Sequence, residues 1–130
     1  MIKKIKFLKN LYFMKLLRTN NKILLACHDA GSGNIIFNYI KKIIKNKIKF
    51  DLLVSGPSKK ICTLHHANLN FNNFDIDYKY PYKIIITGTS YHSVFEHNIR
   101  KKFKNNSQVK IIAVVDNWRN LKKRFVRNKK

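Results

Sequence analysis

Acid is what this chain has least of: six Asp and Glu stand against 28 Lys and Arg in 130 residues. So few carboxylates argue against general acid/base chemistry that relies on a pair of them. Cysteine is scarcer still. Cys27 and Cys62, the two present, make neither a disulfide framework nor a metal knuckle. A buried thiol in an apolar run acts as a small hydrophobe, and the pattern fits a reducing, cytoplasmic setting. Glycine, at four residues, is too sparse for the familiar nucleotide loops. Gly31 and Gly33 begin a Gly-x-Gly pair, but Ile36 stands where the dinucleotide fingerprint needs its third glycine. No Gly-Lys-Ser/Thr follows to make a phosphate loop. Long apolar runs are also missing, since lysines interrupt every stretch before the roughly 18 residues of a membrane span.

In excess are Lys, Asn and Ile, and the formal charge is +22. Two explanations compete. All three residues have A/T-rich codons, so a base-biased genome produces this composition without any partner. Alternatively the charge meets an anion: phosphate, nucleic acid or lipid headgroup. Lys recurs on nearly every expected helix instead of forming one stripe, which favours the first explanation and leaves nucleic acid the weakest partner. Residues 1–20 stand apart, with Lys3, Lys6, Lys9 and Lys15 set among Ile5, Leu8, Leu11 and Tyr12 at roughly helical spacing. That segment reads as a packing helix, as a basic amphipathic helix touching an anionic membrane face, or as an extension upstream of a true start at Met14. It has no clean apolar core or small-residue cleavage site of a signal peptide.

The remainder fits one domain over residues 21–125, with a basic tail at 126–130. Ile- and Val-rich runs at 22–28, 50–55, 82–87 and 110–115 read as strands buried on both faces, which occur in parallel sheets covered by helices. A helix over 35–45 places Ile36, Tyr39, Ile40, Ile43 and Ile44 on one stripe, with Asn34 as its N-cap. A second helix at 58–66 follows Pro57. A third at 91–105, capped by Ser90, turns Val94, Phe95, Ile99 and Phe103 inward. The Asn-rich stretch 67–81 is a loop in which 74–78 alternates as a short further strand. The expected fold is α/β: a three-layer, Rossmann-like parallel sheet of about five strands with helices on both faces, plus a basic N-terminal helix.

Each main strand ends in a polar cluster, and open parallel sheets bind ligands outside the carboxyl ends of their strands. The first cluster, Asp29-Ala30-Gly31-Ser32-Gly33-Asn34, joins a strand to a helix. Amides near Ile35 and Ile36 are candidates to hold an anion such as phosphate; the competing reading is a tight turn and nothing more. Ser32 lacks the Gly-x-Ser-x-Gly frame of a nucleophile elbow. The second cluster, Thr87-Gly88-Thr89-Ser90, offers hydroxyls to a sugar or a phosphate, or else simply caps the next helix. Glu96 faces the crevice or solvent; with His92 at i, i+4 it lacks a third metal ligand. In the third cluster Asp116 is placed to accept from ligand hydroxyls or to orient His28, and Trp118 to cap the sheet edge or stack on a ligand. Ser55-Gly56-Pro57-Ser58 reads as a helix cap.

Taken together, Asp29-Ala-Gly-Ser-Gly-Asn, Thr87-Gly-Thr-Ser with Glu96, and Val115-Asp-Asn-Trp-Arg-Asn-Leu-Lys-Lys-Arg-Phe125 resemble a bacterial family. It is that of surface-polysaccharide biosynthesis proteins whose N-terminal half is similar to a GT-B glycosyltransferase or sugar-nucleotide 2-epimerase domain. The resemblance covers residues 22–125 and matches Asp29, Gly31, Thr87, Gly88, Thr89, Ser90, Glu96, Asp116, Trp118, Asn120, Arg124 and Phe125. Asn117 stands where the family pattern has His, and Leu121 where it has Tyr. The resemblance implies a nucleotide-sugar or phosphate ligand, glycosyl transfer as the activity, and either a second Rossmann-like domain carried on another chain or a truncated half. The alternative is a non-enzymatic basic module for nucleic acid or an anionic membrane surface, cytoplasmic or peripheral at the inner membrane face.

Overall fold

The computed structural model describes residues 22–71, 82–117 and 119–126. The expected N-terminal helix, the short strand at 74–78, Trp118 and residues 127–130 lie outside the described residues. Within them the chain runs β1 (Lys22–Cys27), α1 (Ala30–Lys45), β2 (Phe50–Val54), α2 (Gly56–His65), β3 (Tyr82–Thr87), α3 (Phe95–Phe103), β4 (Lys110–Ala113) and α4 (Leu121–Phe125). Every strand pairing is parallel, and the order across the sheet is β2-β1-β3-β4. The class is therefore α/β as expected, with four strands among the described residues where about five were expected.

Strand alternation divides the core. Ile23, Leu25 and Cys27 of β1 join Leu52, Val54, Ile84 and Ile86 in a cluster with Ile36, Phe37, Ile40 and Ile43 of α1 and Cys62 of α2. Leu24, Ala26, Leu53, Tyr82 and Ile85 pack instead with Ile99 and Phe103 of α3. β1 is buried on both sides, which explains its unbroken apolar run. Each such aliphatic side chain, removed from water, contributes roughly 1.5–3 kcal/mol before entropy is counted. β4, at the sheet edge, is only half-buried.

Element boundaries differ from the sequence-based expectation: α2 runs Gly56–His65 where 58–66 was expected, and α1, α3 and β4 differ as well. α1 begins at Ala30, not 35, because the Asp29 carbonyl already accepts the Gly33 N–H at 2.9 Å as the first helical bond. Gly31 and Gly33 thus sit inside the helix's first turn, and Asn34 is an exposed helical residue with no capping role. α3 begins at Phe95. Residues 91–94 form a bend, in which Ser90 Oγ accepts the Ser93 N–H and Ser93 Oγ that of Phe95, each at 3.1 Å. Val94, expected inward, is exposed. β4 stops at Ala113, although Val114 N–H still donates to the Thr87 carbonyl at 2.7 Å.

From β1 the sheet continues to β2 on one side and to β3 on the other. The carboxyl ends of β1 and β3 therefore flank a topological switch point, where open α/β sheets hold their ligands.

Candidate functional site

Backbone bonds stitch the strand ends together first. Ser55 N–H donates to the Cys27 carbonyl at 3.0 Å, Ser58 N–H to that of His28 at 2.8 Å, and Gly88 N–H to that of Ala26 at 2.9 Å. Loops after β1, β2 and β3 are thereby fixed relative to one another before any side chain is considered.

Glu96 is at the centre. It is completely buried, and its Oε1 accepts the His28 N–H at 2.9 Å and the Ser32 hydroxyl at 3.5 Å. Its Oε2 accepts the Ser90 N–H at 2.5 Å. Burial pushes the Glu96 carboxyl above its ordinary range; the Ser90 and His28 amides pull the other way, Asp29 pushes further up and Arg100 down. Having no exposed surface, Glu96 faces neither a ligand nor solvent but ties the β1–α1 junction and the loop after β3 to α3. A sequence signal for this existed: Glu96, Ile99 and Phe103 share one helical stripe, so the acid occupies a core position.

The Ser90 hydroxyl donates to Asp29 Oδ1 at 2.9 Å. The Asp29 carbonyl, besides its helical bond, accepts the hydroxyls of Ser58 (2.6 Å) and Ser32 (3.1 Å). The Asp29 side chain keeps partial exposure, and its Oδ2 accepts no hydrogen bond from the described residues. Asp116 is drawn to Arg124, whose Nη1 lies 2.9 Å from Oδ1 and also donates to the Thr89 carbonyl at 2.7 Å. The Asp116 carboxylate fills the space that a Cβ on Gly31 would need. Arg100 Nη1 donates to Thr87 Oγ1 and to the Gly88 carbonyl, both at 2.6 Å. Thr89 Oγ1 donates to the Val114 carbonyl at 3.0 Å.

The candidates sort into two groups. Ser32, Gly33, Thr87, Gly88, Thr89, Ser90 and Glu96 are buried, and their polar groups are engaged within the chain. Asp29, Gly31, Asn34 and Asp116 retain a share of the surface. Ser90 does not cap α3, and Asp116 does not orient His28. His92, exposed and outside α3, does not join the buried Glu96.

Electrostatics at the first turn also differ from expectation. Amides of 35 and 36 belong to the second turn of α1, where they bond within the helix; the unpaired amides are those of 30–32. Against them lies the Asp116 carboxylate, and the strand-end amides of His28 and Ser90 are taken by Glu96. The positive end of α1 is answered by the chain's own acids. What remains at the rim is rich in acceptors, suited to hydroxyl donors more than to phosphate.

Three residues named in the sequence have partners here that sequence reasoning did not assign. His28 Nδ1 lies 3.2 Å from Ser55 Oγ, and its Nε2 lies 4.0 Å from Asp29 Oδ1, so Asp29 is the carboxylate beside it. Gly56 has φ of 51°, and the His28 ring fills the space a Cβ would take there. Ser58, fully buried, supports Asp29 as described. Ser55 and Ser58 flank a Gly-Pro pair, and a helix cap is the simplest reading of such a sequence. Next to this polar region lies an apolar cavity of about 280 Å³ between Tyr39, Ile36, Ile86, Ile112 and Val114, with none of the site's polar side chains on its wall.

No family model matches the sequence, and no curated protein or solved structure is significantly similar to it.

Proposed function

We propose that this domain binds the sugar hydroxyls of a sugar nucleotide at the crevice between the ends of β1 and β3. In this reading it is the three-layer, Rossmann-like half of a polysaccharide-biosynthesis protein, and glycosyl transfer is the activity it serves. One observation carries most of the weight. Three of the six acidic residues in a chain of net charge +22, Asp29, Glu96 and Asp116, converge at the strand ends. Random placement of so few acids has no reason to gather them where a parallel sheet holds its ligand. Asp29 Oδ2 and the rim of Asp116 supply acceptors for sugar hydroxyls, while Glu96 and Ser90 set the position of Asp29.

Titration calorimetry with UDP- and CDP-sugars tests this reading. Saturable, salt-tolerant binding is expected, weakened roughly tenfold or more in Asp29→Ala through loss of a charge-assisted hydrogen bond. Ser90→Ala should weaken it less. If no sugar nucleotide binds or shifts the melting temperature, the proposal fails.

A further inference from the structure

An N-cap serine ordinarily turns its hydroxyl to the second or third amide of its helix. Ser55, the N-cap of α2, makes no such bond. Pro57, second in the helix, has no N–H, and the Ser58 N–H donates to the His28 carbonyl at 2.8 Å. The Ser55 hydroxyl lies instead 3.2 Å from His28 Nδ1. At the other ring nitrogen, His28 Nε2 lies 4.0 Å from Asp29 Oδ1. With the ring proton on Nε2, toward that carboxylate, Nδ1 is the acceptor of the Ser55 O–H. Hydroxyl, imidazole and carboxylate thus stand in the order of an activated nucleophile, its base and the acid that orients the base.

The backbone holds these groups in place. The His28 N–H donates to Glu96 at 2.9 Å, and the Ser55 N–H to the Cys27 carbonyl at 3.0 Å. The His28 ring takes the space of a Cβ on Gly56, so only glycine there permits its approach. The Gly56 N–H, next after Ser55, donates to no acceptor among the described residues. A nucleophile elbow draws an oxyanion donor from that same position in the chain. His28, Asp29 and Ser55 each keep part of their surface exposed. A shallow, open groove lined by Gly56, Lys59, Lys60, Thr63 and Leu64 begins beside them.

We propose that Ser55, His28 and Asp29 form an acyl-transfer site, on the β2 side of His28, that hydrolyses short-chain O-acyl esters. Ser55 Oγ bonds to the acyl carbon and its proton passes to His28 Nδ1. The carbonyl electron pair moves onto the oxygen, which the Gly56 N–H receives. The bond from that carbon to the alcohol oxygen then breaks, and the alcohol leaves with the proton from His28. Water repeats both steps on the acyl-serine, releasing the carboxylic acid and restoring the Ser55 hydroxyl. Asp29 acts through His28 as a positioning residue. The groove is shallow, which suits a short acyl group on a larger alcohol held from outside, not a long chain that must be buried.

The test is reaction of the full chain with an alkyl fluorophosphonate, read by peptide mass spectrometry, alongside hydrolysis of p-nitrophenyl acetate. The label should fall on Ser55 and p-nitrophenol should appear in an initial burst, with neither signal after unfolding in urea. Ser55→Ala should remove both while leaving the melting temperature near that of the wild type, since no capping bond is lost. His28→Gln should slow labelling roughly a hundredfold or more, as loss of a general base does. Asp29→Asn should lower kcat and leave KM unchanged, the pattern of an interaction felt in the transition state. The proposal is overturned if Ser55 of the wild-type chain stays unlabelled, if the label falls on another serine such as Ser58, or if His28→Gln is labelled at the wild-type rate. Ser55→Ala leaves Asp29 Oδ2 untouched, so sugar-nucleotide calorimetry on that variant reports the crevice alone and the two proposals fail separately.

Discussion

The carboxylate of Glu96 accepts the amide of His28 at 2.9 Å across 68 residues of sequence. With the Ser90 amide on its other oxygen, it joins the loop after β3 to the end of β1. Glu96→Ala would leave two buried N–H groups without a partner, each costing about 1–3 kcal/mol. Urea unfolding should show a loss of about 2–6 kcal/mol. A variant unfolding at the wild-type midpoint would show that these bonds contribute nothing net.

The same residue sets a pH dependence. Its folded-state pKa is raised above the unfolded value by burial. The folded protein therefore holds this proton more tightly than the unfolded chain, so stability from this group is fully present below the unfolded carboxylate pKa. It is lost as pH rises through the elevated folded value. Glu96→Gln cannot titrate, so the wild-type melting temperature should fall relative to that of the variant as pH rises from below the ordinary glutamate pKa through the elevated one. A gap that moves the other way would mean the two amides outweigh burial.

Gly88 has no room for a methyl group: a Cβ there would collide with Glu96 Oε1 and the Ser32 side chain, both buried. Gly88→Ala should cost about 1–3 kcal/mol by overpacking. Asn34→Ala, on the exposed side of α1, serves as comparison and should stay within about 0.5 kcal/mol of wild type. Equal stability of the two variants would contradict the packing.

Arg124 is the buried residue of α4, and it reaches the Thr89 carbonyl, Asp116 and the Arg119 carbonyl. Arg124→Met keeps much of the volume and removes all three. The expected loss is about 2–3 kcal/mol, typical of hydrogen bonds to a charged group. Faster amide exchange should be confined to α4 and the loop after β4. Uniform exchange throughout the sheet would point instead to global destabilisation.

Cys27 and Cys62 are both buried. Burial pushes the Cys27 thiol up to about 12, leaving almost no thiolate to react at pH 8. Iodoacetamide should modify neither cysteine in the native protein and both after unfolding in urea. Native labelling of Cys27 would require an opening of β1 that this packing does not provide.

The strands were readable because β1 and β3 are covered on both faces and so carry unbroken apolar runs. Their helices were readable through stripes such as Ile36, Ile40 and Ile43, although Ile44, placed on the same stripe, is exposed and Phe37, not placed on it, is in the core. Helix starts were not. Gly31 and Gly33 suggest a turn to any local rule, and only Asp116 and Ser58, supplied by distant segments, explain why glycine stands within a helix. The roles of Glu96 and Ser58 were missed for the same reason: their polar groups are matched across the sheet, by partners that sequence spacing does not reveal. Asp29 and Ser90 came from different clusters, and nothing local announced that they would meet.

The hydrogen bond between His28 and Glu96, the contact of Gly31 with Asp116 and the grip of Arg124 on the Thr89 carbonyl all close long loops. Such contacts carry the largest closure entropy and form late in folding. During synthesis β1, α1, β2 and α2 can pair and collapse while the chain is still growing. The crevice has to wait for α3 and then for α4. Its acids are therefore assembled last, and an intact crevice is a sign that the described domain has finished folding.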